Sequence, residues 1–491
     1  MAELVHQRSL APRSWLLLVA AGALVAVHAW LLAAQPWVAH FDRFLALELA
    51  AFALYALAAI GIVRHDGRRT LVAIWLVAVA LRAVMLCSET ELSDDIARYL
   101  FEGRVLAAGV NPLVTPPSDP SLAHLRLPAA RAVAHAEIAS VYPPLAQLAF
   151  WLAARLHLGE RGWRAGMIAC ELITIALLAL ALRRRKLPLG RLAIYAWHPL
   201  PVLEVASSGH IDALALPLLV AVVMLVPMQR AYAAAVALAL AVLAKLQSAC
   251  LAPLLLLLRG RGGAALLVAL AIVVAAYLPF AQPGFLDGTR RYGVEWSFNG
   301  PVFVAVRALS VHWQEALKTY VEQGKGDWGG IAYGLDERVL ARAILLLLLA
   351  AAAVVILVVR ATVEQRAVSL CAAALLLSPT AHPWYAISLI AALTLAPVLP
   401  LLLLTGTLVI AYRVLPAYQA TQEWQEDPIT LLAEYLVPLA WLGAALTWRW
   451  LHRGRNASSM RGGACERQPP GRHHAADADV EEPSDEQAQE E

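Results

Sequence analysis

Runs of about 20 apolar residues recur from Trp15 to Trp448, the length a helix needs to cross roughly 30 Å of hydrocarbon. No other feature restricts the fold as strongly. Inside a bilayer each segment must satisfy its own backbone N–H and C=O groups, so such runs fold as helices. Of 491 residues, 60% are hydrophobic and only 15% charged, where a soluble protein carries nearer a quarter. The chain therefore reads as an all-α polytopic membrane protein. Spans are expected near 15–34, 44–63, 70–87, 164–182, 190–207, 211–228, 231–245, 247–258, 264–280, 338–359, 367–379, 385–398, 400–414 and 429–448, a bundle of about 12–14.

The distribution of arginine tests this count. Arg8 and Arg13 put the N-terminus in the cytoplasm. Arg64, Arg68 and Arg69, then 183–186 with Arg191, Arg230, Arg259 and Arg261, Arg360 and Arg366, and Arg449, Arg453 and Arg455 then all fall on the cytoplasmic side. That holds only if 145–158, about 14 residues long, lies at the outer interface instead of crossing.

Four regions follow: N-terminal spans at 1–87, an extracytoplasmic loop at 88–163, a bundle at 164–450 with a second outer loop at 281–337, and a polar tail at 451–491. The tail lacks apolar periodicity, ends in acidic residues and reads as disordered and cytoplasmic. The first apolar stretch is long enough to be an anchor and not a cleaved leader. Cys87, Cys170, Cys250, Cys371 and Cys465 show no metal-type spacing, so neither a zinc site nor a structural disulfide is expected. No cofactor is called for, and nothing in the charge pattern calls for nucleic acid; membrane lipids surround the spans.

Polar residues with acid, base or cationic character stand out against this background. Ser93, Asp94 and Asp95 suit the start of a helix running to about Ala108, with Gly109 as its left-handed stop. Spacing pairs Asp94 with Arg98, Asp95 with Tyr99, and Arg98 with Glu102. A well-capped loop helix would look the same. Glu204 interrupts an apolar stretch, either as a functional group or as one half of a buried Glu–His bond. His210 and Asp212 follow at an outer turn. Lys245 sits at the outer end of a span, placed to bind a phosphate or to snorkel. His382 lies between Pro379 and Pro383, beside Trp384 and Tyr385. Asp94, Asp95, His210, Asp212, Lys245, His382 and 295–299 assign to the outer face.

Five motifs then appear in order: SDDIARYLFEGRVLAAGVNP at 93–112, VYPPLAQL at 141–148, WHPLPVLEVASSGHIDALA at 197–215, WSFNGP at 296–301 and SPTAHPWY at 378–385, with Lys245 between the third and fourth. Together they resemble bacterial multi-spanning glycosyltransferases of the GT-C superfamily, nearest to the polyprenyl-phosphate-sugar-dependent mannosyltransferase-like membrane proteins. The resemblance covers about residues 70–400. It implies a large first outer loop with interfacial helices, a bacterial inner-membrane location, and inverting transfer of a hexose from a polyprenyl-phosphate donor to a hydroxyl of a lipid or glycan. It implies Asp95, then Asp94, as general base, and Lys245, Arg98 and His382 as phosphate contacts. It places Tyr99, Glu102, Arg104, Asn111, Tyr142, Glu204, His210, Asp212, Trp296, Asn299, Trp384 and Tyr385 around the substrates. The superfamily often works without a metal, and no metal site is expected. The chain departs from the usual form at Ala97, at Phe101 and Glu102, and at Ser207 and Ser208, which leaves sugar and acceptor undefined. The competing readings are a transporter or lipid-linked-sugar flippase on the same scaffold, and a noncatalytic assembly subunit.

Overall fold

The computed structural model describes residues 11–126, 132–324 and 336–462, with side chains from 19 to 448. The described residues form helices and no strand; an isolated bridge joins Phe298 and Asn299 to Thr380. Two units divide the chain, 1–439 and 440–491. Among the described residues, seven helices are long and apolar enough to cross a membrane: Phe41–Ile62, Arg68–Leu86, Glu160–Arg184, Gly262–Phe280, Glu337–Val358, Leu399–Thr421 and Pro428–Trp448. Five shorter apolar helices accompany them: Val19–Ala33, Asp212–Leu225, Ala231–Ala244, Leu246–Leu257 and Pro383–Leu395.

Two of the expected spans differ in the structure. At 190–207 no continuous span exists. The chain there passes through a 3-10 turn at Leu189–Leu192, single helical turns at Ala193–Ala196 and Pro199–Pro201, and a π-helical turn at Val202–Ser207. Pro199 and Pro201 lack the N–H that would continue the ladder. The helix at Val363–Leu376 has 14 residues, about 21 Å of rise and short of a full crossing. The tail expected from His452 begins as helix, since the last helix runs Pro428–Gly462 with no proline after Pro438. Residues 463–491 lie outside the described residues.

In the first unit, α1 (Ala11–Ala33), α2 (Phe41–Ile62) and α3 (Arg68–Leu86) precede the outer loop. Then come α4 (Asp95–Ala107), α5 (Pro144–Arg155) and α6 (Glu160–Arg184). Arg82 of α3 and Glu171 of α6 form a fully buried ion pair, two guanidinium nitrogens donating to the two carboxylate oxygens at 3.0 and 2.7 Å.

The basic turns converge at one end. His65 accepts from the Gly190 N–H and Asp66 from that of Leu189. Gln229 holds the Leu257 carbonyl and the Arg259 N–H. Arg185 pairs with Glu364, and Arg191 donates to the Leu395 carbonyl. Gly190 is required there, because a Cβ would overlap the Ile62 carbonyl oxygen at 1.8 Å.

At the opposite end lie α4 and α5. Glycine at 103 lets them touch backbone to backbone, with a Cβ placed only 2.1 Å from the Phe150 oxygen. On α5 the exposed residues Leu148, Leu152 and Leu156 share one ridge while Ala146, Gln147, Phe150 and Ala153 are buried. This is a short amphipathic helix of 12 residues with an apolar outer edge.

Candidate functional site

The site is assembled from breaks in helices. α4 starts one residue later than the sequence implied. Asp94, not Ser93, is the N-cap residue, and the Ser93 hydroxyl accepts from the Asp95 N–H at 3.3 Å. Its C-terminus closes as expected: Gly109 has φ +81°, its N–H reaches the Leu106 carbonyl, and the Val110 N–H reaches that of Val105. One step of about 100° around the helix separates the two aspartates. Asp94 is exposed. Asp95, its side chain 33% exposed, enters a buried polar cluster.

In that cluster Asp95 Oδ2 accepts from the Tyr99 hydroxyl at 3.2 Å and lies 3.6 Å from His210 Nδ1. His210 Nε2 lies 3.3 Å from Glu204 Oε2, and Glu204 Oε1 accepts from Tyr412 at 2.7 Å. The imidazole contacts to the two carboxylates are charge contacts, long or poorly aligned for hydrogen bonds. His210 stacks on the Trp384 indole at 3.9 Å, and His382 covers its vicinity at 4.1 Å in near-parallel planes.

Lys245 follows α10 (Ala231–Ala244; α7, α8 and α9 being Ala193–Ala196, Pro199–Pro201 and Asp212–Leu225) as a single extended residue before the 3-10 helix Leu246–Leu257. It donates to Asp212 at 2.9 Å and lies 4.9 Å above the Tyr385 ring. Beside it runs a narrow furrow of about 20 Å³, lined by Asp212, Ala215, Leu216, Leu219, Gln247, Ser248, Cys250 and Ser388.

Charge follows from these neighbours. Burial alone would raise the Asp95 carboxyl; His210, Lys245 and His382 outweigh it and hold Asp95 well below the usual carboxylate range. Burial would lower His210, yet Asp95 and Glu204 override it and push the imidazole up to about 9. His382 goes the other way, down to about 3, through burial and the cations Lys245 and His210. Near neutral pH the cluster thus holds an ionised Asp95, a cationic His210 and a neutral His382.

The structure brings together Asp95, Tyr99, Glu204, His210, Asp212, Lys245, His382, Trp384 and Tyr385 from the sequence set. Tyr142 meets Tyr99 edge to face at 5.1 Å. Trp296 borders the cluster through Tyr292, whose hydroxyl shares a 2.7 Å bond with Tyr385.

Five expectations are corrected. The Arg98 side chain is turned to other partners than the cluster: it is 10% exposed, paired with Glu102 at 3.0 Å and donating to the carbonyls of Ala134, His135 and Ile138. Glu102 also accepts from Ser140 and Gln147, so it ties the loop to α5. Arg104 lies over Phe101 in the apolar cluster with Val105 and Leu122. Asn111 caps the Leu113 N–H and donates to the Phe280 carbonyl. Asn299, at φ +54°, donates to Ala381 and Glu434 and so carries the His382 loop instead of facing substrate.

Sequence reasoning missed Tyr412 and Tyr292. Tyr292 stands one helical turn before Trp296, a spacing that carries a signal. Tyr412 sits in a long apolar run and carries none. Among the described residues, no three His, Cys, Asp or Glu side chains gather as a metal site.

Fold and site together define an all-helical protein with several membrane-length apolar helices and a polar cluster where helices break. Comparison with family models, curated proteins and solved structures finds no match to the chain.

Proposed function

We propose that the chain is a membrane glycosyltransferase that moves a hexose, mannose by resemblance, from a polyprenyl-phosphate donor to a hydroxyl of a lipid or glycan at the extracytoplasmic face. The observation that carries this reading is the gathering, in one cluster, of a partly exposed Asp95 with Lys245, which is paired to Asp212 beside a narrow furrow. The order of motifs resembling the GT-C superfamily supports it, as does the gathering of the basic turns at the opposite end.

In this reaction the acceptor O–H bond breaks and its proton passes to Asp95. The acceptor oxygen bonds to the anomeric carbon from the face opposite the phosphate. The bond from that carbon to the phosphate oxygen breaks, and its electron pair stays on the phosphate. Lys245, oriented by Asp212, stabilises the charge that grows there. Asp95 is a weak base when resting, and it gains strength only as the acceptor oxygen forms its new bond.

Asp95→Asn is expected to lower kcat by about 10²–10⁴-fold, while Asp94→Asn retains most activity, both assayed by sugar transfer from a lipid-linked donor in detergent. Full activity of Asp95→Asn at normal expression would remove the base assignment.

One observation favours a transporter. Broken helices around a buried carboxylate, here 189–207 around Glu204, are a device of alternating-access carriers. Substrate flux into liposomes without any transfer product would establish that reading instead.

A further inference from the structure

The His210 ring has a carboxylate at each nitrogen. Asp95 Oδ2 stands 3.6 Å from Nδ1, and Glu204 Oε2 stands 3.3 Å from Nε2. A neutral imidazole has one N–H and one lone pair. Either tautomer would set that lone pair against carboxylate lone pairs in a site where the ring is 0% exposed. Between two carboxylates, the doubly protonated ring is the form complementary to both neighbours. The indole of Trp384, stacked at 3.9 Å, presents its π face to the same cation.

The surroundings do not supply a competing cation at the ring. From α4 come Asp95 and, through it, Tyr99. From the π turn comes Glu204, with Tyr412 donating to it and Glu48 of α2 buried near enough to sense its charge. From α9 comes Asp212, which is already paired with Lys245. From the 378–385 loop comes His382, on the far side of Trp384. From α6, the Arg164 stem lies against Gly209, while its guanidinium donates to the carbonyls of Ser88 and Ser207.

We propose that Glu204 holds His210 as a standing imidazolium, which makes His210 a positioning residue that fixes Asp95 Oδ2 and leaves Oδ1 to take the acceptor proton. This rests on the transfer reading above. Glu204 touches no reacting atom; it acts through His210, and His210 acts through Asp95. With Asp95 protonated midway through the reaction, Glu204 alone keeps the ring charged, so His210 neither receives nor returns a proton during turnover.

Two experiments test this. The first is the pH profile of kcat in Glu204→Gln. An opposite charge within about 4–6 Å is worth about 1–3 pH units. The variant is therefore expected to keep near-wild-type kcat at about pH 6 and to fall roughly tenfold by about pH 8.5, with KM little changed. Glu204→Asp is expected to restore the alkaline limb. A profile superimposable on the wild type, or an equal loss at every pH, overturns the proposal. The second reads the ring directly and needs no activity: nitrogen-15 NMR of histidine-labelled Asp95→Asn protein. The His210 ring is expected to stay doubly protonated at neutral pH, and a neutral ring there overturns the proposal. The activity of Asp95→Asn tests the transfer reading separately, so the two failures are distinguishable.

Discussion

Neighbouring residues of like charge take different roles because a helix turns between them. Asp94 caps α4 at the surface and Asp95 reaches His210. The sequence showed the pair and, through motif order, favoured Asp95; it showed nothing of the His210 ring lying between two carboxylates. Arg98 and Glu102 misled for a related reason. Spacing gave their pairing, which the structure shows, but not that the pair is buried against the carbonyls of the loop. Removing one partner of such a pair costs about 3–5 kcal/mol, because the other charge is left buried. Arg98→Ala is accordingly expected to lower the unfolding temperature in detergent, and Arg98→Met with Glu102→Gln to recover much of the loss. His210 adds a pH-dependent part to stability. Its folded pKa is raised, so the stabilisation is complete below about 6.5, the unfolded value, and is lost as pH rises through about 9. Thermal scans should therefore show the unfolding temperature declining between those limits.

Individual helices were legible where periodicity is simple and illegible where they break. The Schellman closure at Gly109 and the shortness of α5 followed from residue type and run length. The π turn at Val202–Ser207 and the 3-10 helix at Leu246–Leu257 did not, since hydrophobic content is the same in either winding. Pro199, Pro201 and Pro253 were the only local signals. The α4–α5 contact is the element on which Asp95 depends. Gly103→Ala forces a methyl into the Phe150 carbonyl. Overpacking of this kind typically costs about 1–3 kcal/mol. The variant is expected to lose both thermal stability and transfer activity, whereas Ala at the open position Gly166 leaves both unchanged.

Within the first unit, the turns at 65–66, 185–191, 229 and 259 meet at one end and the polar cluster lies at the other. Charge counting alone implied that separation, because each turn could be assigned before any contact was known. What it could not give was the number of complete crossings, since broken and short helices look like full spans in composition. If the basic end faces the cytoplasm, a cysteine at exposed Ser121 in a cysteine-free background reacts with an impermeant maleimide on intact cells. One at Arg261 then reacts only after permeabilisation. The opposite pattern would invert the topology and with it the proposed side of transfer.

The winding of Leu246–Leu257 has a consequence for the space beside it. Twelve residues at about 2.0 Å each reach roughly 24 Å, where an α-helix of that length covers about 18 Å. A 3-10 helix is also the slimmer cylinder. Drawn out in this way, the segment leaves Lys245 as a thin post that presents Gln247, Ser248 and Cys250 to the furrow opposite Ala215, Leu216 and Leu219. The spacing of those three side chains along the furrow is thus set by backbone pitch, and a substitution that rewinds the segment to α-helix would turn them to other faces.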